Sequence, residues 1–95
     1  MDWTINLESI TKIPVTVEEA VNSLIIVLDN EHKRTIALMK EDDLVDLHFS
    51  LGAEIRNVFD LHDLGEKLIA DCGTSHPDDA SMVIINALWK KLTQE

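Results

Sequence analysis

Apolar positions in this chain recur at three and four residues over most of its length, the spacing of one face of a helix, and the pattern breaks where Pro, Gly, Asp and Asn gather. The first clear stripe is Val17, Ala20, Val21, Leu24 and Leu28, widened by Ile25. Thr16 and Glu19 stand at the spacing of a capping box, and Pro14 keeps the preceding chain non-helical, so a helix is predicted over 17–28. The run from 24 to 28 is also continuous and β-branched, which makes strand its second reading. Asp29 and Asn30 then break the pattern. A short amphipathic stretch over 31–39 offers Ile36, Leu38 and Met39 to the core behind His32, Lys33 and Arg34.

The strongest periodicity is Leu44, Leu47, Leu51, Ile55 and Val58, which predicts one helix over 41–59. Glu41, Asp42 and Asp43 crowd its start, where the positive end of the helix dipole favours carboxylates. On a wheel, Asp43, Asp46, Ser50, Ala53, Glu54 and Asn57 share one polar sector, expected to face water or a partner. A short helix over 64–72 follows, stopped by Gly73 in the left-handed conformation. Pro77 suits the first turn of a final helix that runs to about residue 93, with Ser75 or His76 as its cap. Ala80, Met82, Val83, Ile84, Ile85, Ala87, Leu88, Trp89 and Leu92 cover most of its circumference, which places it in the middle of the domain. Residues 1–15, with Trp3, Ile5 and Leu7 alternating, read as an extended N-terminal arm. The fold expected is all-α, a single compact domain over 1–95 of four to five helices.

Ninety-five residues suffice for one core and no second one. With 4% aromatic residues and no Tyr, that core must be mostly aliphatic. The start Met1, Asp2, Trp3 has no basic region and no long apolar run follows, so the expectation is a cytoplasmic protein without a membrane span. Cys72 stands alone and reads as a small apolar filler. Eighteen acidic residues against eight basic give a net charge of −10, which disfavours direct binding to nucleic acid or anionic membrane and favours a cationic protein partner.

No catalytic, cofactor-binding or metal-ligating constellation emerges. His62, Asp63, Cys72, His76, Asp78 and Asp79 include metal-ligand types, but their spacing matches none of the close-paired motifs. His76 reads as a capping residue, His62 as a surface loop residue and His48 as half-buried packing. Arg56 falls on the wheel beside Val45, Phe49 and Gly52, on a packed face, where a charge needs a partner. Asp78 lies on the inward side of the last helix with Met82, Ile85 and Trp89. A structural pair of Arg56 and Asp78 is therefore expected, bidentate where geometry allows, with Gly52 permitting close helix approach.

The stretch Leu47-His48-Phe49-Ser50-Leu51-Gly52-Ala53-Glu54-Ile55-Arg56-Asn57-Val58-Phe59-Asp60-Leu61, followed by His76-Pro77-Asp78-Asp79-Ala80-Ser81, resembles a bacterial family of small domains of unknown function. The resemblance extends over about 14–92. Where that family often has an aromatic, glycine-rich loop, this chain has His62, Asp63, Leu64 and Gly65. Small acidic domains of this sort resemble immunity proteins of bacterial toxin and contact-dependent inhibition systems, which cover the active site of a cognate toxin. By that analogy the expected function is neutralisation of a cationic toxin domain, a nuclease, through Asp42, Asp43, Asp46, Glu54, Asp60, Asp63 and Glu66. Two other readings stand beside it. One is an adaptor holding a peptide in an apolar groove near Trp3 or Trp89; the other is a small enzyme built on Arg56, Asp78 and His76.

Overall fold

The first helix begins where the chain satisfies the amide groups that no helical carbonyl can reach. In the computed structural model, which describes residues 13–62 and 65–94, α1 spans Val17–Val27. Thr16 Oγ1 accepts from the Glu19 amide at 3.1 Å. The Glu19 carboxylate reaches one residue past the usual capping-box partner and accepts from Val15 N at 3.0 Å. A further orphan donor, Val17 N, binds Asp71 Oδ2 at 2.7 Å and ties the start of α1 to a distant helix end. The β-branched run is helical: Leu24 and Leu28 are buried while Ile26 is 78% exposed, a division that belongs to a helix and not to a strand buried on both faces. Residues 1–12 of the arm, Trp3 among them, lie outside the described residues; of its last three, Pro14 is buried and Val15 exposed.

Helix α2 spans Asn30–Leu38, capped by Asp29, whose Oδ1 accepts from His32 N at 2.8 Å. That bond to the backbone is the main reason the Asp29 carboxyl titrates below its ordinary range. Ile36 is buried and Met39 half-buried, but Leu38 is 78% exposed, contrary to the sequence expectation. Two residues along a helix turn through about 200°, so Leu38 cannot share the inward face of Ile36.

The long helix expected over 41–59 is two elements. Glu41–Leu47 forms a 3-10 helix, residues 48–50 form a turn, and α3 spans Leu51–Val58. Three residues per turn set Leu44 and Leu47 above one another, and both are buried. Ser50 then takes the Leu47 carbonyl with its amide at 3.2 Å and its hydroxyl at 3.4 Å, a local alternative to the helical ladder. Leu51 and Ile55 still reach the core after this change of phase, whereas Val45 and Phe49 emerge 63% and 87% exposed. The continuous polar sector read from the wheel does not exist, because a break lies between its acidic residues.

Helix α3 ends in a Schellman motif: Leu61 N binds Arg56 O at 3.0 Å and Asp60 N binds Asn57 O at 3.2 Å. Asp60 supplies the left-handed residue, φ +49°, a place glycine usually takes. Helix α4, Glu66–Asp71, ends the same way around Gly73, φ +78°, the stop expected from the sequence. Helix α5, Pro77–Thr93, has Pro in its first turn as expected, but neither Ser75 nor His76 caps it by a side-chain hydrogen bond.

Each extensive packing contact between helices in the described residues involves α5, against α1, α2, the 3-10 helix, α3 and α4. Ala80, Ser81, Ile84, Ile85 and Leu88 are its buried residues. Trp89 Nε1 donates to Met39 O at 2.9 Å, fixing the end of α2 to the later turns of α5. Around α5 the core is aliphatic apart from Phe59. The architecture is all-α, with one long central helix wrapped by shorter ones.

Candidate functional site: an acidic turn over a buried arginine

Arg56 leaves α3 with a side chain only 11% exposed, and its guanidinium is satisfied inside the protein. Nη1 donates to Ser81 Oγ on α5 at 3.0 Å, and Nη2 donates to the His48 carbonyl in the turn at 3.3 Å. Ser81 donates in turn to the Asp78 carbonyl at 2.8 Å, so its hydroxyl both gives and accepts. The Arg56 to Asp78 ion pair is a single approach, Nε to Oδ1 at 3.5 Å, and the Asp78 side chain is 65% exposed. It is neither bidentate nor buried. Sequence reasoning turned Asp78 inward, but Ser81, one helical turn on, is the residue that enters the core.

Gly52 is where this arrangement leaves little room for a side chain. A Cβ there would stand 3.2 Å from Arg56 Nη1, 3.3 Å from Leu47 O and 3.6 Å from Ser81 Oγ. The arginine therefore crosses over the glycine to reach α5 and the turn. Ser81 could have been found from spacing, since it stands three, four and seven residues before Ile84, Ile85 and Leu88 on the buried face of α5; the His48 carbonyl could not, because it depends on the turn at 48–50.

Outside this network lie the carboxylates named from the sequence. Asp42, Asp43 and Asp46 are exposed and close together on the 3-10 helix, with exposed Glu41 beginning it. Glu54, half-buried, belongs to α3, and half-buried Asp60 to the left-handed turn after it. Glu66 is exposed in the first turn of α4 and borders an open groove of about 480 Å³ with Leu61, His62, Ile69, Ser75 and Pro77. Asp63 lies outside the described residues. The structure thus brings together three of the seven in one short segment and distributes three others over separate elements.

The same segment carries the apolar residues that the helical wheel had placed on a packed face. Val45 and Phe49 are exposed, and the Phe49 ring meets the His48 ring edge to face, with centroids 4.7 Å apart and planes at 87°. Exposed charged and apolar side chains therefore stand together within residues 41–49. Among the described residues no three His, Cys, Asp or Glu side chains gather as a metal cluster, every buried polar side-chain atom has a partner, and no helix is long and apolar enough to cross a membrane.

Neither a curated protein nor a solved structure gives a match to the chain. Its residues 13–92, which hold the Arg56 network, the acidic 3-10 helix and every helix described above but for the last residue of α5, match the model of the Domain of unknown function (DUF6794), and the chain belongs to that family.

Proposed function

We propose that this domain binds and neutralises a cationic protein, and that it does so as a bacterial immunity protein that covers the active site of a basic, nuclease-type toxin. The observation that carries the reading is the 3-10 helix, where Glu41, Asp42, Asp43 and Asp46 all stand exposed in a chain with net charge −10. Such a field draws a partner rich in Lys and Arg toward this face and repels nucleic acid and anionic membrane. Glu54, Asp60, Asp63 and Glu66 would add to the field at longer range, and Asp42, Asp43 and Asp46 make the direct contacts. The Arg56 network takes no part in chemistry in this reading; it holds the surface.

Co-expression with a basic toxin domain encoded beside its gene tests the proposal. The expected result is restored growth, with an association rate that falls steeply as NaCl is raised. Replacing Asp42, Asp43 and Asp46 together by Asn should slow association by roughly tenfold, because steering acts mainly on the on-rate. Undiminished toxicity would reject that pair. Binding that survives both high salt and the triple replacement would instead favour the adaptor reading, a peptide held in an apolar groove.

A further inference from the structure

Phe49 has no place in the core, and its surroundings say what it is for. Of the two phenylalanines in the chain, Phe59 is fully buried and Phe49 is 87% exposed. An exposed apolar side chain is by itself ordinary. This one, however, sits on a turn whose backbone is held from beneath, since the buried Arg56 donates to the carbonyl of His48, the adjacent residue, at 3.3 Å. Its ring is also set against that of His48. A side chain presented in this manner loses little freedom on binding, which is the usual character of an aromatic anchor. Val45, 63% exposed, extends the apolar area within the same segment.

The flanking charge identifies the occupant. Glu41, Asp42, Asp43 and Asp46 precede Phe49 in this segment and are exposed. A second copy of the chain would meet this surface with like charge, and an anionic membrane would be repelled by it. A cationic protein surface containing an apolar recess is complementary on both counts. Resting on the reading of the acidic face as a binding surface for a cationic protein, we propose that Phe49, with Val45, is the anchor that seats in such a recess. Arg56 is its positioning residue, acting through the His48 carbonyl without touching the partner.

Two helix-forming peptides of equal length and equal lysine number test this, one with leucines along one face and one with alanines there. By titration calorimetry the wild-type protein should bind the Lys/Leu peptide at least about tenfold more tightly than the Lys/Ala peptide, the scale of a well-seated aromatic anchor. Amide NMR shifts should centre on residues 45–51. Phe49→Ala should bring the two affinities to within about twofold while leaving the Lys/Ala peptide unaffected, and Phe49→Leu should restore part of the preference. Arg56→Lys keeps the charge but not the planar fork, and should reduce the preference without changing Lys/Ala binding; lost stability alone would weaken both peptides alike. If Arg56→Lys is unfolded at the assay temperature, Ser81→Ala, which removes one of the two internal acceptors, makes the same test. A wild-type protein without preference, or Phe49→Ala with its preference intact, would overturn the anchor. A full preference in a folded Arg56→Lys would overturn the positioning role. If neither peptide binds, the acidic face is not a surface for cationic protein, and the broader reading falls with it.

Discussion

Arg56 is the residue on which most of the local structure turns, because one guanidinium connects α3, α5 and the turn at 48–50. Arg56→Ala would leave the His48 carbonyl and the Ser81 hydroxyl without that donor and remove a side chain that is nearly buried. A loss of about 2 kcal/mol in denaturant unfolding is expected. That is less than a fully buried ion pair would give, since Asp78 keeps its hydration when the arginine goes. Cys72 behaves differently. Burial, with the negative charge of Asp71 acting in the same direction, pushes its thiol up to about 11. The folded state holds the proton more tightly than the unfolded state, so this contribution is complete below about pH 9 and is lost as pH rises from there through 11. Wild-type protein should therefore lose more stability than Cys72→Ala between pH 8 and pH 10.5, measured by urea unfolding, and its thiol should alkylate slowly at pH 8.

Among the elements, helix ends were legible where a single residue type dictates the geometry, and illegible where a local bond, such as that of Ser50 to the Leu47 carbonyl, replaces the helical ladder. Thr16 and Glu19 announced α1, Gly73 announced the end of α4, and Pro77 announced α5. The break after Leu47 was hidden because Leu44, Leu47, Leu51 and Ile55 keep their inward positions across it, so the hydrophobic pattern reads as one helix. What the break changes is the other side, where Val45 and Phe49 come out into water. For the same reason the carboxylates were recognisable as candidates, but their grouping and their apolar neighbours were not. The end of α3 falls where the pattern put it, at about residue 59, but the left-handed role of Asp60 was not legible, because aspartate seldom fills that position. Two glycines separate steric from conformational demands. Gly65→Ala would put a Cβ 2.7 Å from the Phe59 carbonyl and 3.0 Å from that of Asp60, both backbone atoms. Gly73→Ala meets nothing within 4 Å, but places alanine at φ +78°. Expected losses are about 2–3 kcal/mol for the first and about 1 kcal/mol for the second, read from thermal or urea unfolding.

For the molecule as a whole, the dominance of α5 sets how stability is shared. Helices that pack chiefly on a common centre have little to hold them once that centre is lost, so no pair of the outer elements is expected to survive alone. Equilibrium unfolding should be a single transition, with far-UV circular dichroism and the Trp89 fluorescence of a Trp3→Phe variant coinciding. Separate transitions would show that part of the bundle stands without α5. The net charge of −10 belongs to the same scale: it was readable directly from composition, whereas the location of its useful part depended on the fold.

Of the helices described, the central one is also made last. During synthesis α1 through α4 emerge before the helix on which they chiefly pack, since its residues begin at Pro77. A nascent chain shorter than that has an amphipathic pattern without its main packing partner, and in that state relies on its own negative charge, or on chaperones, to avoid association. Folding then has one moment at which it becomes possible, the arrival of α5, and a chain halted before it would be a substrate for proteases.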